Sequence, residues 1–133
     1  MSTWLIVEDE PDLYDTLMAV VEQRGVHPVG VTSVEDALDL IEDIDHNRYR
    51  GGLPEVAMID IRLPYTDHLE AFGGVLIGER LRQSARLDGL KIVLMTAYRL
   101  SPEQENDCIN RAGADLLLYK PFSMSILSEL HSL

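Results

Sequence analysis

The sequence predicts an α/β fold, a parallel sheet with helices on both faces, and two observations support this prediction. Short apolar runs alternate five times with longer segments in which apolar residues recur at helical spacing. The run Val56–Asp60 stays uncharged until it ends in a carboxylate, and such a run is typical of a strand buried on both faces. Right-handed crossovers would bring the carboxyl ends of all five strands to one edge of the sheet.

The predicted elements follow one another without a linker or an internal repeat, so we expect a single domain over residues 1–133. The predicted strands are 4–7, 27–31, 56–60, 91–95 and 115–119. The five predicted helices lie between Pro11 and Gly25, between Ser33 and Asp45, over 75–83, between Ser101 and Gly113, and after Ser123.

Proline, glycine and serine indicate where several of these elements begin and end. Pro11 and Pro102 open helices, because proline is favoured in the first helical turn. Ser33 is placed to cap the second helix, and Gly25 to end the first one. Pro28 interrupts the second strand, which predicts that this strand lies at an edge of the sheet.

The composition indicates a soluble protein of a reducing compartment. The formal net charge is −12, which argues against direct binding to nucleic acid or to an anionic membrane, because both attract Lys and Arg. Cys108 is the single cysteine, so no internal disulfide can form. Glu8 and Asp9 interrupt the first apolar run, and no run approaches the roughly 20 apolar residues of a membrane span. We therefore expect a cytoplasmic protein.

The ends of four predicted strands would bring five polar side chains to the same edge of the sheet. These residues are Glu8, Asp9, Asp60, Thr96 and Lys120. Three carboxylates so close together would resist joint ionisation, and a divalent cation would relieve their repulsion. Mg²⁺ prefers oxygen ligands, so the sequence predicts a magnesium site at this edge.

The same residues also supply the parts of a phosphoryl-transfer site. An ionised Asp60 beside Mg²⁺ could attack phosphorus and form an aspartyl phosphate. Thr96 could donate a hydroxyl hydrogen bond to a phosphoryl oxygen, and Lys120 could add a positive charge.

Four motifs carry a family resemblance that extends over essentially the whole chain. They are I-V-E-D-E-P around Glu8 and Asp9, I-D-I-R-L-P around Asp60, L-M-T-A with Thr96, and Y-K-P-F with Lys120. With these motifs the chain resembles the receiver domains of two-component response regulators and is similar to the chemotaxis response regulator. The resemblance implies a flavodoxin-like, doubly wound, five-stranded sheet of order 2-1-3-4-5, and signalling through protein contacts.

The resemblance also implies a role for each site residue. Asp60 would accept a phosphoryl group from a histidine kinase or a histidine phosphotransfer protein, and Thr96 and Lys120 would contact the phosphoryl oxygens. The implied Mg²⁺ ligands are Glu8, Asp9, Asp60 and the backbone carbonyl of Arg62. The domain would catalyse its own phosphorylation and dephosphorylation but would not be an enzyme on outside substrates.

The sequence departs from the family pattern in three places. Residues 65–74 form an enlarged loop beside the acceptor strand, and the loop 45–54 is also longer than usual. Relatives carry Tyr or Phe three residues before the lysine, where the ring reports phosphorylation, but Leu117 holds that position here. Tyr119 would lie on the same face of the strand as Leu117 because side chains alternate, so we expect Tyr119 to take part of the switching role.

Two other functions remain open from the sequence. A Mg²⁺-dependent phosphohydrolase with an aspartyl-phosphate intermediate would carry a second Asp two residues after the nucleophile, and Arg62 occupies that place. A phosphorylation-independent interaction module is the third possibility, although such proteins usually lose the acceptor Asp or the acid pair. No output domain is evident, so the chain either acts alone or is the receiver portion of a longer regulator.

Overall fold

A computed structural model of the chain describes residues 2–64 and 72–130. The strands are β1 (Thr3–Val7), β2 (His27–Val31), β3 (Val56–Asp60), β4 (Lys91–Thr96) and β5 (Leu116–Tyr119). The helices are α1 (Pro11–Gln23), α2 (Val34–Asp45), α3 (Gly73–Arg82), α4 (Pro102–Ala112) and α5 (Leu127–Leu130). Short 3-10 helices span Ala85–Leu87 and Met124–Ile126.

All paired strands are parallel, and their order in the sheet is β2-β1-β3-β4-β5. This order confirms the predicted flavodoxin-like topology and the edge position of β2. The pairs Asp60 with Met95 and Thr96 with Tyr119 align the carboxyl ends of the last three strands. The polar side chains at these ends therefore meet at one edge of the sheet, as the sequence predicted.

The two faces of the sheet carry separate hydrophobic clusters. Leu5 and Val7 point toward the cluster that α2, α3 and α4 cover, and Trp4 and Ile6 point toward the cluster that α1 and α5 cover. Every residue of β1 and β3 is buried. These strands are therefore buried on both faces, which explains why their sequences read as unbroken apolar runs.

The helix caps agree largely with the signals in the sequence. Ser33 accepts a hydrogen bond from the Asp36 amide, and Ser101 and Gln104 form a reciprocal capping box at the start of α4. Glu10 caps α1 by accepting the amides of Asp12 and Leu13, a role that the sequence analysis did not assign. Gly113 ends α4 with φ of 63°, a conformation that favours glycine.

Some predicted element boundaries were wrong by one or two residues. The helix α3 begins at Gly73 rather than at residue 75. Its first two residues lie against the backbone of Leu63, Asp60 and Ile61, where a Cβ would collide. The strand β5 begins at Leu116 rather than 115. Asp115 still joins the two strands, because its amide donates to the Ile92 carbonyl and its side chain accepts the Ile92 amide. The helix predicted after Ser123 divides into the 3-10 helix and the four-residue α5.

Residues 65–71 of the predicted enlarged loop lie outside the described residues. Within residues 2–64 and 72–130, no helix is long and apolar enough to cross a membrane.

Candidate functional site

The carboxyl ends of β1 and β3 bring three carboxylates together. Glu8 and Asp9 follow β1, and Asp60 is the last residue of β3. One carboxylate oxygen from each of the three residues lies within 4.8 Å of the others. Glu8 and Asp60 are buried, whereas Asp9 is exposed and borders the solvent side of the cluster.

Lys120, which follows β5, provides the positive charge of the site. Its Nζ lies 2.7 Å from Glu8 Oε1 and 3.5 Å from Asp60 Oδ2. The other oxygen of Glu8 accepts the Glu10 amide at 3.0 Å. The buried Glu8 carboxylate is therefore paired and hydrogen-bonded, which offsets the cost of removing it from water. The Lys120–Pro121 peptide bond is cis.

The environment of Asp60 raises the pKa of its carboxyl group to about 6. Burial is the largest cause, and the negative charge of Glu8 raises the pKa further. The positive charge of Lys120 and the Arg62 amide, which donates to Asp60 Oδ1 at 3.3 Å, oppose this increase. Asp60 is therefore mostly ionised at pH 7 and available as a nucleophile, but its charge is poorly compensated.

The donor set of this cluster fits a hard divalent cation. Glu8, Asp9 and Asp60 offer only oxygen atoms, which are the ligands that Mg²⁺ prefers. The repulsion that raises the Asp60 pKa would be relieved by a cation bound among the three carboxylates. The backbone of Arg62, the fourth implied ligand, is held close to the cluster by its amide hydrogen bond to Asp60.

The hydroxyl group of Thr96 lies at the end of β4 and is fully buried. Its oxygen accepts the Tyr98 amide at 3.1 Å. The Lys120 amide donates to the Thr96 carbonyl at 2.8 Å, which holds the ends of β4 and β5 together. The structure thus brings all five predicted side chains to one edge of the sheet.

A model of the response regulator receiver domain family matches residues 4–131 of the chain. The chain belongs to this family. It is therefore a receiver domain of the two-component response regulators. An uncharacterized 14.6 kDa protein of Leptolyngbya boryana, from the sodA1 3′ region, is 27% identical over 117 residues, which cover 88% of this chain and 77% of that protein.

Solved structures of receiver proteins share the fold of this receiver over nearly its whole length. The chemotaxis protein CheY4 of Vibrio cholerae aligns with a TM-score of 0.78 at 19% identity, covering 99% of this chain and 98% of CheY4. The receiver domain of a sensor histidine kinase from Pseudomonas aeruginosa aligns with a TM-score of 0.71 at 25% identity, covering 97% and 93% of the two chains. That domain has a magnesium ion coordinated in its active-site cleft.

Two aromatic rings beside the receiver site were not singled out from the sequence. The Arg62 guanidinium lies 4.1 Å from the ring centroid of Tyr98 and 5.7 Å from that of Phe72. The contact with Tyr98 joins the end of β3 to the segment that follows Thr96, and the contact with Phe72 joins it to the start of α3. The sequence offered two signals for this contact, a basic residue two positions after Asp60 and an aromatic residue two positions after Thr96. It could not predict that these two residues pair, because their contact forms only in the tertiary structure.

Leu117 and Tyr119 lie on the same face of β5, as the sequence predicted. Both are half-buried and pack against the cluster beneath α2, α3 and α4. The Tyr119 hydroxyl donates a hydrogen bond to Glu105 of α4, and this bond raises the pKa of the Tyr119 phenol. The Arg99 guanidinium lies 4.8 Å from the centroid of the Tyr119 ring. The receiver thus has an aromatic contact between β5 and α4, although Leu117 itself is aliphatic.

Proposed function

We propose that this receiver accepts a phosphoryl group on Asp60 from a histidine kinase or a histidine phosphotransfer protein, with Mg²⁺ held by Glu8, Asp9, Asp60 and the Arg62 carbonyl. One observation carries the proposal: the buried carboxylate of Asp60 lies beside two further carboxylates and 3.5 Å from the Lys120 ammonium. Such an arrangement combines a nucleophile with groups that stabilise phosphoryl charge.

The proposed reaction is a displacement at phosphorus. An Asp60 carboxylate oxygen attacks the phosphorus of the donor phosphohistidine, so that a P–O bond forms while the P–N bond breaks. The electron pair of the broken bond stays on the imidazole nitrogen of the donor. When bound, Mg²⁺ neutralises charge on the phosphoryl oxygens.

Two side chains would contact the phosphoryl group once it is on Asp60. Thr96 accepts the Tyr98 amide through its oxygen, so its hydroxyl proton is available for a phosphoryl oxygen. Lys120 pairs with Glu8 and lies near Asp60, so a small movement of its ammonium would reach the phosphoryl group. Hydrolysis by water would later return Asp60 to its free form. We propose that the domain performs only this reaction on itself and is not an enzyme on outside substrates.

An apolar groove beside Lys120 supports a protein as the phosphoryl donor. The groove has a volume of about 330 Å³ and lies between Leu13 of α1 and the segment after β5. It is lined by Leu13, Ala97, Lys120, Pro121, Phe122 and Met124. A donor protein could place an apolar side chain in this groove while its phosphohistidine reaches Asp60.

Phosphorylation by a small-molecule donor tests the assignment of Asp60. The wild-type protein is incubated with Mg²⁺ and acetyl phosphate, and its intact mass is measured over time. We expect one phosphoryl group on the wild type and none on Asp60→Asn, because the amide is not a nucleophile for phosphorus. Asp39→Asn is the matched control, since Asp39 is an exposed residue of α2, and it should behave like the wild type.

Two results would contradict the proposal. An Asp60→Asn protein that gains a phosphoryl group at the wild-type rate would remove Asp60 from the acceptor role. Rapid turnover of many phosphoesters by the wild type, without a phosphorylated species, would instead favour the phosphohydrolase.

A further inference from the structure

We propose that Gly74 is a positioning residue that sets the geometry of metal binding at Asp60. This inference rests on the proposed function, because it concerns the same site. Gly74 is the second residue of α3 and lies 14 positions after Asp60 in the sequence. Glycine has no side chain that could contact a metal ion, so its effect on the site is transmitted through the backbone.

The backbone of Gly74 packs directly against the end of the acceptor strand. A Cβ atom at this position would lie 2.8 Å from the Ile61 Cα and closer still to the Asp60 carbonyl oxygen. Both are backbone atoms, so the collision could not be relieved by rotating a side chain. In addition, the Gly74 amide donates to the Ile61 carbonyl at 3.0 Å.

This contact holds the peptide between Asp60 and Ile61 from one side while β4 holds it from the other. The Ile61 amide donates to the Met95 carbonyl at 2.8 Å. The next amide, of Arg62, donates to Asp60 Oδ1 at 3.3 Å. The direction of the Asp60 carboxylate and the position of the Arg62 backbone therefore both depend on a peptide that Gly74 braces.

The start of α3 is otherwise poorly suited to a helix. Its N-cap, Phe72, makes no side-chain capping hydrogen bond, and its first two residues are Gly73 and Gly74. Glycine is among the weakest helix formers, so these positions gain nothing in helix propensity. Close approach to the acceptor strand explains why glycine occupies position 74 in this structure.

The substitution Gly74→Ala tests the inference with Mg²⁺ alone as the ligand. The added methyl group collides with the Asp60–Ile61 peptide, and displacement of this peptide would move the Asp60 carboxylate and the Arg62 backbone. We expect the dissociation constant for Mg²⁺, measured by isothermal titration calorimetry, to rise by about tenfold or more. The Mg²⁺ concentration that half-saturates phosphorylation by acetyl phosphate should rise in parallel.

Gly78→Ala is the matched control within the same helix. A Cβ at Gly78 would lie 2.6 Å from the Ala112 Cβ and 3.0 Å from the Ala112 Cα, so it strains the packing of α3 on α4 instead. This variant should lose stability toward urea but keep the wild-type Mg²⁺ dissociation constant. Equal loss of Mg²⁺ affinity in both variants would show that the loss comes from strained packing of α3, and it would overturn the inference.

Folding and positioning are separated by repeating the titration in trimethylamine N-oxide, which favours the folded state. Folding is followed by circular dichroism in the same samples. Weak Mg²⁺ binding that persists in refolded Gly74→Ala supports the positioning role, and restored wild-type affinity overturns it.

A wild-type protein that binds no Mg²⁺ would contradict the proposed function itself, whereas equal binding by wild type and Gly74→Ala contradicts only the role of Gly74.

Discussion

The carboxylate of Asp60, the proposed phosphoryl acceptor, occupies an environment that disfavours its negative charge. Its side chain is only 8% exposed, and Lys120 is shared with the fully buried Glu8. A buried carboxylate with so little compensating charge destabilises the folded state unless a further cation binds beside it. The metal-free domain therefore carries an energetic cost at the residue on which its proposed chemistry depends.

This cost should be visible as a pH-dependent difference between wild type and Asp60→Asn. The Asp60 pKa is about 6 in the folded protein and 3.8 in the unfolded reference, so between these values the folded state binds more protons. The contribution of Asp60 to stability is fully present below pH 4 and is lost as the pH rises through 6. Asparagine does not titrate, so the variant avoids this loss.

We expect Asp60→Asn to be more stable than the wild type by about 2 to 3 kcal/mol at pH 7.5 without Mg²⁺, from a shift of roughly two pKa units. The difference should shrink as the pH falls from 7 toward 4. Urea unfolding in EDTA at several pH values measures it. A difference that stays constant over this range would contradict the raised pKa of Asp60.

At the scale of elements, the segment between β4 and α4 joins the site to the outer face of the molecule. Its residue Tyr98 donates its amide to Thr96 and stacks with Arg62, while Arg99 lies over the Tyr119 ring. A phosphoryl group that draws the Thr96 hydroxyl inward would pull on this segment. Tyr119 also contacts α4 through its hydroxyl group, so a shift of the segment would be transmitted to α4.

We predict that Tyr119 transmits phosphorylation to α4. Beryllofluoride, a phosphoryl mimic, should change the amide hydrogen exchange of α4 in the wild type. Tyr119→Ala removes both the ring beneath Arg99 and the hydroxyl bond to Glu105, and should lose most of this change. Tyr119→Phe keeps the ring and should retain an intermediate response. The prediction is wrong if Tyr119→Ala responds to beryllofluoride as the wild type does.

At the scale of the whole molecule, small-molecule and protein donors would use different surfaces. Acetyl phosphate would need only the site at the sheet edge, whereas a donor protein would also cover the apolar groove between Leu13 and the segment after β5. The chain has a net charge of −12, so a donor face with positive charge around an apolar centre would complement this surface.

A polar substitution in the groove should therefore impair transfer from a protein donor alone. Met124→Gln keeps the length of the side chain but places an amide in the apolar lining, where it would lose hydrogen bonds to water on docking. With a histidine kinase that phosphorylates the wild type, we expect transfer to slow by about tenfold. The rate with acetyl phosphate should stay at the wild-type value.

Met18→Gln is the control for this prediction, because Met18 is a half-buried residue of α1 that does not line the groove. It should transfer like the wild type with both donors. If Met124→Gln slowed both donors equally, the substitution would be acting on the site rather than on docking.

Local patterns in the sequence were sufficient to predict a parallel α/β sheet and the side chains that meet at its edge, whereas the strand order 2-1-3-4-5 depended on the family resemblance. The alternation of apolar runs with helical periodicity depends on burial along each segment, and the caps at Ser33 and Ser101 act within one helical turn. Asp60 stood out because a charge ended a fully apolar strand. Parallel topology then required the strand ends to meet, so the sequence also predicted that Thr96 and Lys120 lie near Asp60.

The contacts that tune the site could only be seen in the tertiary structure. Three contacts show this: Arg62 stacks on Tyr98, Tyr119 donates to Glu105, and Gly74 packs so closely on Asp60 that a side chain is excluded. Each of them links two segments whose spacing in the sequence follows no helix or strand period. The pKa of Asp60 is likewise a sum over burial and charges from three strands. Periodicity reports which side of an element is buried, but distances between elements are set only when the elements pack.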